Sequence, residues 1–393
     1  MRIKNLKIRE IFATTAQKTI EIDLETAKGS VRASVPIGTS RGRYETVYLP
    51  TEDALSKFNI IKRIFTTNEF TDQEDVDNTL RIVDKTDNFR EIGGNLALAI
   101  SSSFLKAFAL DSGQDIFEYL ATKAKEKVNI PKPICNIIGG GKHAGRIDIQ
   151  EFHFIPVHQT SFLDSITKIS KAYWTEGRKL KQDDPTFAFT QNIESAWTSS
   201  LSFEEILKIM AKVANENLLK LGIDFAASQL WDGTRYYVYR YSNKVLNTRE
   251  QMNLVIKLAK EYPIIFIEDP LNETDFSNFS ILTHELQPRI ICGDDLYATN
   301  LKRLKDGIDF KATNGIIVKP NQIGTITDVI NLVKEARKNN LVTVMSHRSG
   351  DTEDNLICHL AVGLGCDYIK LGISGERTVK INEMIRIEEK LKG

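Results

Sequence analysis

The chain has 393 residues, of which 41% are hydrophobic and 26% charged, the composition of a folded protein of two or three domains and not of a disordered one. Lys plus Arg total 52 and Asp plus Glu total 52, so the formal net charge is zero. A neutral chain has no net field to attract nucleic acid or an anionic membrane surface, and an anionic ligand must be held by a local cluster.

Neither a membrane span nor a secretion signal is predicted. The longest charge-free stretch, 92–105, is shorter than the roughly 20 apolar residues that a span requires. Arg2 and Lys4 lie where a signal peptide would need its apolar segment, so we expect a cytoplasmic protein. The four cysteines form no Cys-x-x-Cys pair, which argues against a zinc site and a redox motif.

The first third of the chain predicts a small sheet followed by helices. Apolar residues alternate with period 2 up to about residue 36, as in half-buried antiparallel strands. From Thr51 to about Lys125 the period is 3.6, and a charge-rich stretch with two prolines follows at 123–133. We therefore expect an α+β domain at 1–125 and a second domain at 126–393.

After Pro133, short β-branched runs alternate with amphipathic helical stretches, which is typical of βα units. Enough strand-like runs are present to close a barrel, at 134–138, 147–155, 186–190, 223–226, 264–267, 290–292, 315–318, 343–345 and 368–369. Ionisable residues recur at or near the C-terminal ends of these runs: Glu194, Asp224, Glu268, Asp294, Lys319, His347 and Lys370. Because parallel barrel strands project such residues into one mouth, the sequence predicts a shared polar site.

The residue types at this mouth indicate metal-assisted chemistry. Asp224, Glu268 and Asp294 offer only oxygen ligands, which suit Mg²⁺ better than Zn²⁺. Asp269 and Asp295 directly follow two of them, and strand alternation predicts that only one of each pair points inward.

Lys319 and Lys370 end two late strands, and two ammonium groups close to a metal ion would lower a lysine pKa, so that the lysine can act as a base. The segment 346–350 combines an imidazole, a guanidinium and two hydroxyls, which can clamp an oxyanion or a phosphate. The segment 139–143 lacks the pattern of a P-loop. A metal, a lysine base and a phosphate clamp together indicate proton abstraction next to a carboxylate.

At these residues the chain resembles the enolases, the phosphopyruvate hydratases, over nearly its whole length. The most specific matches are Ser346-His347-Arg348-Ser349-Gly350-Asp351-Thr352-Glu353-Asp354, Val318-Lys319-Pro320-Asn321-Gln322-Ile323-Gly324-Thr325, Ile267-Glu268-Asp269-Pro270, Gly293-Asp294-Asp295-Leu296 and His143-Ala144-Gly145 with Gln150-Glu151-Phe152. The resemblance implies an N-terminal α+β capping domain followed by a TIM barrel of ββαα(βα)₆ order. It also implies an Mg²⁺-dependent lyase of glycolysis and gluconeogenesis that dehydrates 2-phosphoglycerate to phosphoenolpyruvate.

The resemblance assigns roles by position. Lys319 would remove the C2 proton, and Glu194 would protonate the leaving hydroxyl. Asp224, Glu268 and Asp294 would bind the first Mg²⁺, and Ser40 would help to bind a second one and close a loop over the site. Lys370 would bind the substrate carboxylate, and Arg348 and Ser349 would bind the phosphate. The remaining residues would line the pocket: His143, Gln150, Glu151 and His347. The family also forms homodimers or higher homo-oligomers, with intersubunit ion pairs that correspond to Arg9 with Glu376 and Glu21 with Arg386.

Several segments depart from the family pattern. The turn at 13–18, the loop at 192–199 around Glu194, and the segment 373–375 are rewritten, and Arg41 stands where Thr is usual. Two alternatives to the enolase reaction follow: an enolase-like paralogue with lost or slowed activity that works as a binding protein, or a lyase acting on another phosphorylated acid. Outside the motifs, His153 is expected to have a surface or packing role and Trp174 to belong to the core.

Overall fold

The computed structural model of this chain describes residues 1–39, 41–143 and 146–392. In order along the chain, it consists of a small sheet, four helices and a closed barrel with helices around it. Ser40, one of the predicted site residues, lies outside the described residues.

The N-terminal sheet confirms the period-2 prediction. Its strands are β1 (Asn5–Phe12), β2 (Lys18–Glu25) and β3 (Ser30–Ser34), paired antiparallel in that order. Leu6 on β1 and Ile20, Ile22 and Leu24 on β2 are fully buried. One face of this sheet therefore packs against the helices that follow it.

The four helices are α1 (Thr51–Thr67), α2 (Gln73–Asp84), α3 (Gly94–Ser112) and α4 (Ile116–Ala124). Helix α3 is buried nearly all round because it contacts both the sheet and the other helices. Asp72 caps α2 by accepting from the Asp75 N–H, and Gly113 ends α3 in a left-handed conformation. The boundary at 125/126 stays a prediction, between the end of α4 and the first barrel strand.

The barrel has the ββαα(βα)₆ order that was expected. Its strands are β4 (Lys132–Gly139), β5 (Glu151–Pro156), β6 (Leu219–Asp224), β9 (Ile264–Glu268), β10 (Ile290–Gly293), β11 (Gly315–Val318), β12 (Val342–Ser346) and β13 (Tyr368–Gly372). They close in the order β10-β11-β12-β13-β4-β5-β6-β9, and only β5 runs antiparallel to its neighbours. A hairpin of β7 (Tyr236–Tyr239) and β8 (Lys244–Asn247) follows β6.

The helices around the barrel are α5 (Phe162–Asp183), α6 (Phe203–Glu216), α7 (Thr248–Glu261), α8 (Phe276–Glu285), α9 (Leu301–Phe310), α10 (Pro320–Ile323), α11 (Ile326–Lys338), α12 (Leu356–Gly363) and α13 (Thr378–Lys392). Inside the barrel, an apolar layer is formed by Ile134, Ile155, Phe266, Cys292, Ile317 and Val344. This layer fills one end of the barrel, so the polar residues collect at the other.

Three strand predictions were wrong in whole or in part. The run 186–190 is a loop between α5 and α6, although its residues alternate like those of a strand. Strand β5 begins only at Glu151, not at residue 147, and the run 223–226 is displaced because β6 spans Leu219–Asp224. Asp184 explains the first difference, because its carboxylate accepts from the Thr186 and Ser200 N–H groups and folds this segment into turns. Glu194 therefore lies in a loop and not at a strand end.

No helix among the described residues is long and apolar enough to cross a membrane. Trp174, expected in the core, is half exposed on α5. The four cysteines are buried and free.

Hydrogen bonds join the N-terminal helices to the barrel helix α11 at its start. The carboxylate of Asp77 on α2 accepts from the Thr327 N–H at 2.8 Å and from Gln73 Nε2 at 3.1 Å. Ser101 Oγ on α3 accepts from the Ile326 N–H at 2.9 Å. These bonds use N–H groups that a helix cannot satisfy itself.

Replacing Asp77 with Ala should lower the free energy of unfolding by about 1–3 kcal/mol, because the partly buried Thr327 N–H would lose its acceptor. Urea denaturation followed by circular dichroism measures this. Asn78→Ala, at an exposed neighbouring position, should stay within about 0.5 kcal/mol of the unmodified protein. Equal stabilities for the two variants would contradict the assigned role.

Candidate active site

One polar cavity lies at the C-terminal ends of the barrel strands and gathers most of the predicted site residues. Its lining consists of His143, Gln150, Glu151, Glu194, Asp224, Lys319, Ser346, His347, Arg348, Ser349 and Lys370. Glu268 and Asp294 contact two of these lining residues, Lys370 and Lys319. Apart from Ser40, the structure thus brings all the predicted residues together.

Buried carboxylates surround Lys370, which lies in the middle of β13 and not at its end as expected. Its Nζ lies 3.0 Å from Asp224, 2.8 Å from Glu268 and 3.0 Å from Glu151. Burial lowers the pKa of Lys370, but these three carboxylates together raise it well above its usual value. Lys370 is therefore charged.

One ammonium group does not neutralise this cluster. Burial and the charge of Asp224 raise the pKa of Glu268 well above its usual value. Its Oε1 is buried and has no hydrogen-bond partner within the described ranges. This oxygen and the carboxylates of Asp224 and Asp294 are the kind of donors that a hard divalent cation prefers.

Strand alternation predicted that Asp269 points away from the site, but its carboxylate lies beside those of Asp294 and Asp295. It adopts a left-handed backbone at φ 40° and is buried. Its carboxylate accepts from the N–H groups of Asp294 and Asp295, at 3.0 and 2.7 Å, and thereby fixes the start of the loop after β10. Asp269, Asp294 and Asp295 also place ligand atoms within 4.8 Å of one another. No periodicity signals this role, because the backbone turns at Asp269.

Lys319 follows β11, and its Nζ forms an ion pair with Asp294. The backbone N–H of Lys319 donates to Thr299 Oγ1 at 2.9 Å. Burial lowers the pKa of Lys319, but Asp294 outweighs that effect and raises it. In the protein alone the carboxylate partners thus dominate both lysines, and the lowered lysine pKa expected next to a metal ion stays a prediction.

Glu194 lies on another side of the cavity. Its Oε2 is 3.1 Å from His143 Nδ1 and 3.4 Å from Asn136 Nδ2. Its Oε1 is 3.6 Å from Arg377. Burial lowers the pKa of His143, but Glu194 outweighs that effect and raises it.

The residues 191–198, which we call the acid loop, are joined to the barrel sheet. The Trp197 N–H donates to the Ile137 carbonyl at 2.8 Å, and the Gly139 N–H donates to the Trp197 carbonyl at 2.9 Å. These bonds extend the pairing of β4. Glu194 therefore enters the cavity three strands away from β11, which carries Lys319.

A surface or packing role was expected for His153, and the structure confirms packing. It points into the barrel, fully buried, and its Nε2 is 2.8 Å from Glu151 Oε2. Gly222 on β6 provides the space, since a Cβ there would lie 3.0 Å from His153 Nδ1. Period 2 from Glu151 along β5 is the signal that could have found it.

This pairing fixes the charge states of Glu151 and His153. Burial raises the pKa of Glu151, but Lys370 and then His153 hold it well below its usual range. Burial lowers the pKa of His153 despite that hydrogen bond. An ionised Glu151 can only accept, so a neutral His153 donates from Nε2.

The segment 348–350 forms the remaining wall together with residues near Ser40. Arg348 pairs with Glu45 at 2.9 Å, and Ser349 Oγ bonds to Thr39. The Gly38 N–H donates to the Ser349 carbonyl at 3.1 Å. Burial and the charge of Arg377 lower the pKa of His347 well below its usual value, so its imidazole is neutral.

The arrangement can bind an anion and transfer protons on two sides of it. Lys319, Lys370 and Arg348 supply positive charge, while Glu194 is a carboxyl group on a separate wall.

Gln150 orients the Asp224 carboxylate. Its side chain donates to Asp224 at 3.2 Å and accepts from Gln229 at 2.7 Å.

Comparison with known proteins agrees with this geometry. The family model for the enolase C-terminal TIM barrel domain matches residues 127–393, and the model for the enolase N-terminal domain matches residues 3–120. The enolase of Natronomonas pharaonis is 38% identical over 98% of this chain and 98% of its own. The enolase of Archaeoglobus fulgidus is 38% identical over 99% and 98%, and that of Methanothermobacter thermautotrophicus 36% identical over 99% and 97%.

His153 should remain a neutral imidazole protonated at Nε2 at pH 6.5, the ordinary pKa of histidine, because its own pKa is lowered by burial. The ¹⁵N chemical shifts of the ring nitrogens measure this, with the His153→Gln variant to assign the signals. A half-protonated ring at that pH would contradict the geometry.

Proposed function

The chain belongs to the enolase family, and we propose that it dehydrates 2-phosphoglycerate to phosphoenolpyruvate with Mg²⁺, using Lys319 as the base and Glu194 as the acid. The observation that carries the proposal is the single cavity in which a lysine and a carboxyl group face the same space from separate walls. Removing a proton from one carbon and a hydroxyl from the next requires a base and an acid on two sides of the substrate.

Asp224, Glu268 and Asp294 would hold the first Mg²⁺, which the substrate carboxylate also reaches. Among the residues that the structure describes, none bonds to Oε1 of Glu268, which supports this donor set. When bound, the ion supplies positive charge that stabilises the enediolate formed on proton removal. Ser40 would contribute to a second Mg²⁺, and it lies outside the described residues.

Lys319 would take the C2 proton. In the protein alone its ammonium group pairs with Asp294, which raises its pKa. A base must be neutral, and Asp294 would share its charge between Lys319 and a bound ion, which would lower the pKa of Lys319. The same residue thus serves two purposes, as a ligand and as the partner that sets the protonation of Lys319.

The other lining residues would hold the substrate. Lys370 would bind the carboxylate, and Arg348 and Ser349 the phosphate. His347 is neutral and can donate one hydrogen bond and accept another. His143, Gln150 and Glu151 would line the pocket at the acid end.

Neither alternative receives support from a specific contact. Arg41, which suggested a different phosphorylated acid, donates to the Gly38 carbonyl at 3.2 Å and lies over the Tyr48 ring at 4.2 Å. The Arg41 side chain therefore contacts residues of its own loop. A non-enzymatic binding protein has no need for an acid and a base facing one cavity.

Measuring phosphoenolpyruvate by its ultraviolet absorbance, with and without Mg²⁺, tests the function directly. We expect formation from 2-phosphoglycerate only with the ion. A protein that binds 2-phosphoglycerate but forms no product at any Mg²⁺ concentration would overturn the proposal.

Replacing Lys319 with Ala should reduce exchange of the C2 proton with solvent by about 10²–10⁴-fold, because the base is removed, while 2-phosphoglycerate still binds. Proton NMR in D₂O follows the exchange. Lys305→Ala, on the exposed side of α9, is the matched control and should exchange normally. Normal exchange in Lys319→Ala would refute the assignment.

Replacing Asp294 with Asn should raise the Mg²⁺ concentration needed for half-maximal activity by at least about 10-fold, since one ligand charge is lost. Activity titrations with Mg²⁺ measure it. Asp306→Asn, exposed on α9, should leave the titration unchanged. An unaltered titration for Asp294→Asn would count against the metal site.

We also propose a homodimer with Arg9–Glu376 and Glu21–Arg386 pairs between subunits. Within one chain Arg9 pairs with Glu21 and Asp23, and Arg386 with Glu383, so intersubunit pairs would add to existing ones. Nucleic acid is not among the proposed partners, and the cytoplasmic location stays a prediction from the sequence.

Reversing the charge of Arg386, which is largely exposed, should raise the dimer dissociation constant by roughly 10-fold, because a twofold interface uses each pair twice. Light scattering over a dilution series measures the Arg386→Glu variant. A monomer in the unmodified protein, or a dimer indifferent to the reversal, would contradict the proposed pairs.

A further inference from the structure

The segment 374–377, which we call the latch, packs directly against the acid loop. Ser374 Oγ donates to the Ser195 carbonyl at 2.7 Å, and Ser195 Oγ donates to Glu376 Oε2 at 2.8 Å. Tyr173 OH also reaches the Ser195 carbonyl, at 3.3 Å. Ser195 is thus bound to the latch through both its backbone and its side chain.

The backbone at this contact is strained and tightly packed. Ser195 has a φ of 61°, which is uncommon for a residue other than glycine and persists only where the surroundings hold it. Gly375 has a φ of 60°, and a Cβ there would lie 2.1 Å from Ser195 Oγ. Only glycine allows the two segments to approach this closely.

The residue that precedes Ser195 is Glu194. Its N–H donates to Asn192 Oδ1 at 3.0 Å, which closes the turn that directs its carboxylate into the cavity. From the latch, the fully buried Arg377 lies 3.6 Å from that carboxylate. Arg377 also donates to the Arg348 carbonyl at 2.9 Å. The latch therefore contacts the backbone beside Glu194, its carboxylate, and the wall that would bind phosphate.

We propose that the latch positions Glu194 for proton donation. Ser374 holds the backbone of Ser195, Glu376 holds its hydroxyl, and Arg377 holds the Glu194 carboxylate relative to Arg348. This inference rests on the proposed role of Glu194 as the acid. The latch does not contact Lys319, whose partners are Asp294 and Thr299. Loosening the latch should therefore impair loss of the hydroxyl and spare removal of the C2 proton.

Two reactions of the same Mg²⁺-loaded protein separate these effects. Exchange of the C2 proton of 2-phosphoglycerate in D₂O reports the base, and formation of phosphoenolpyruvate reports base and acid together. Glu194→Gln provides the reference: it should retain exchange and lose dehydration. This variant tests the role of Glu194 independently of the latch.

The double variant Ser195→Ala with Ser374→Ala removes the two hydroxyl contacts at half-buried positions. We expect dehydration to fall by about 10- to 100-fold, as a displaced catalytic group does, with exchange within about 2-fold of the unmodified protein. A purely structural role would lower both reactions in parallel, or neither.

A second set of variants tests the close approach. Gly375→Ala should slow dehydration because the new Cβ meets Ser195, and Ser195→Gly added to it should restore part of the rate, because both contacting atoms belong to the Ser195 side chain. Gly113→Ala, at φ 70° with open space around it, is the control for backbone strain and should leave both reactions unchanged.

The outcomes distinguish the two proposals. If Glu194→Gln dehydrates normally, the role of Glu194 fails and the latch proposal with it. If Glu194→Gln behaves as expected but the double serine variant keeps its ratio of dehydration to exchange, only the latch proposal is overturned. Parallel loss of both reactions, or no rescue of Gly375→Ala by Ser195→Gly, overturns it as well.

Discussion

The site depends on the balance of buried charge at one end of the barrel. The carboxylates of Asp224, Glu268 and Glu151 all lie within 3.0 Å of the Lys370 ammonium group. The Asp294 carboxylate forms an ion pair with the Lys319 ammonium group. Burying carboxylates without sufficient positive charge is strongly unfavourable. Under the proposed function a divalent cation would relieve this excess, and the same burial that raises the pKa of Glu268 would favour its binding.

Two altered segments of the site constrain each other. The acid loop and segment 373–375 both depart from the enolase pattern, and they are in direct contact through Ser195, Ser374 and Gly375. A change in one alone would break hydrogen bonds or create an overlap. The Glu194 carboxylate itself is held by His143 and Arg377, which both lie outside these two segments.

Strand periodicity predicted much of the fold, the carboxylate positions and that of Lys319, whereas Lys370 lies within its strand and not at its end. Asp224 and Glu268 end their strands and Lys319 follows its strand directly, so the βα spacing of the sequence places them correctly. Residues whose position depends on turns were beyond this reasoning. Asp184 folds the predicted strand 186–190 into a loop, and Asp269 turns inward at a positive φ. Such positions are set by side chain to backbone hydrogen bonds, which have no period.

His153 marks the boundary between the two chemical environments of the barrel. It contacts Phe266 of the apolar layer in an edge-on geometry, and its Nε2 donates to Glu151 of the polar mouth. A neutral imidazole can face both, because its ring tolerates apolar neighbours and one nitrogen supplies a hydrogen bond. Its donation keeps Glu151 ionised without adding a second buried cation beside Lys370. Glu151 therefore remains available as a partner for Lys370 and for His143, 3.8 Å away, and connects the carboxylates to the acid end of the cavity.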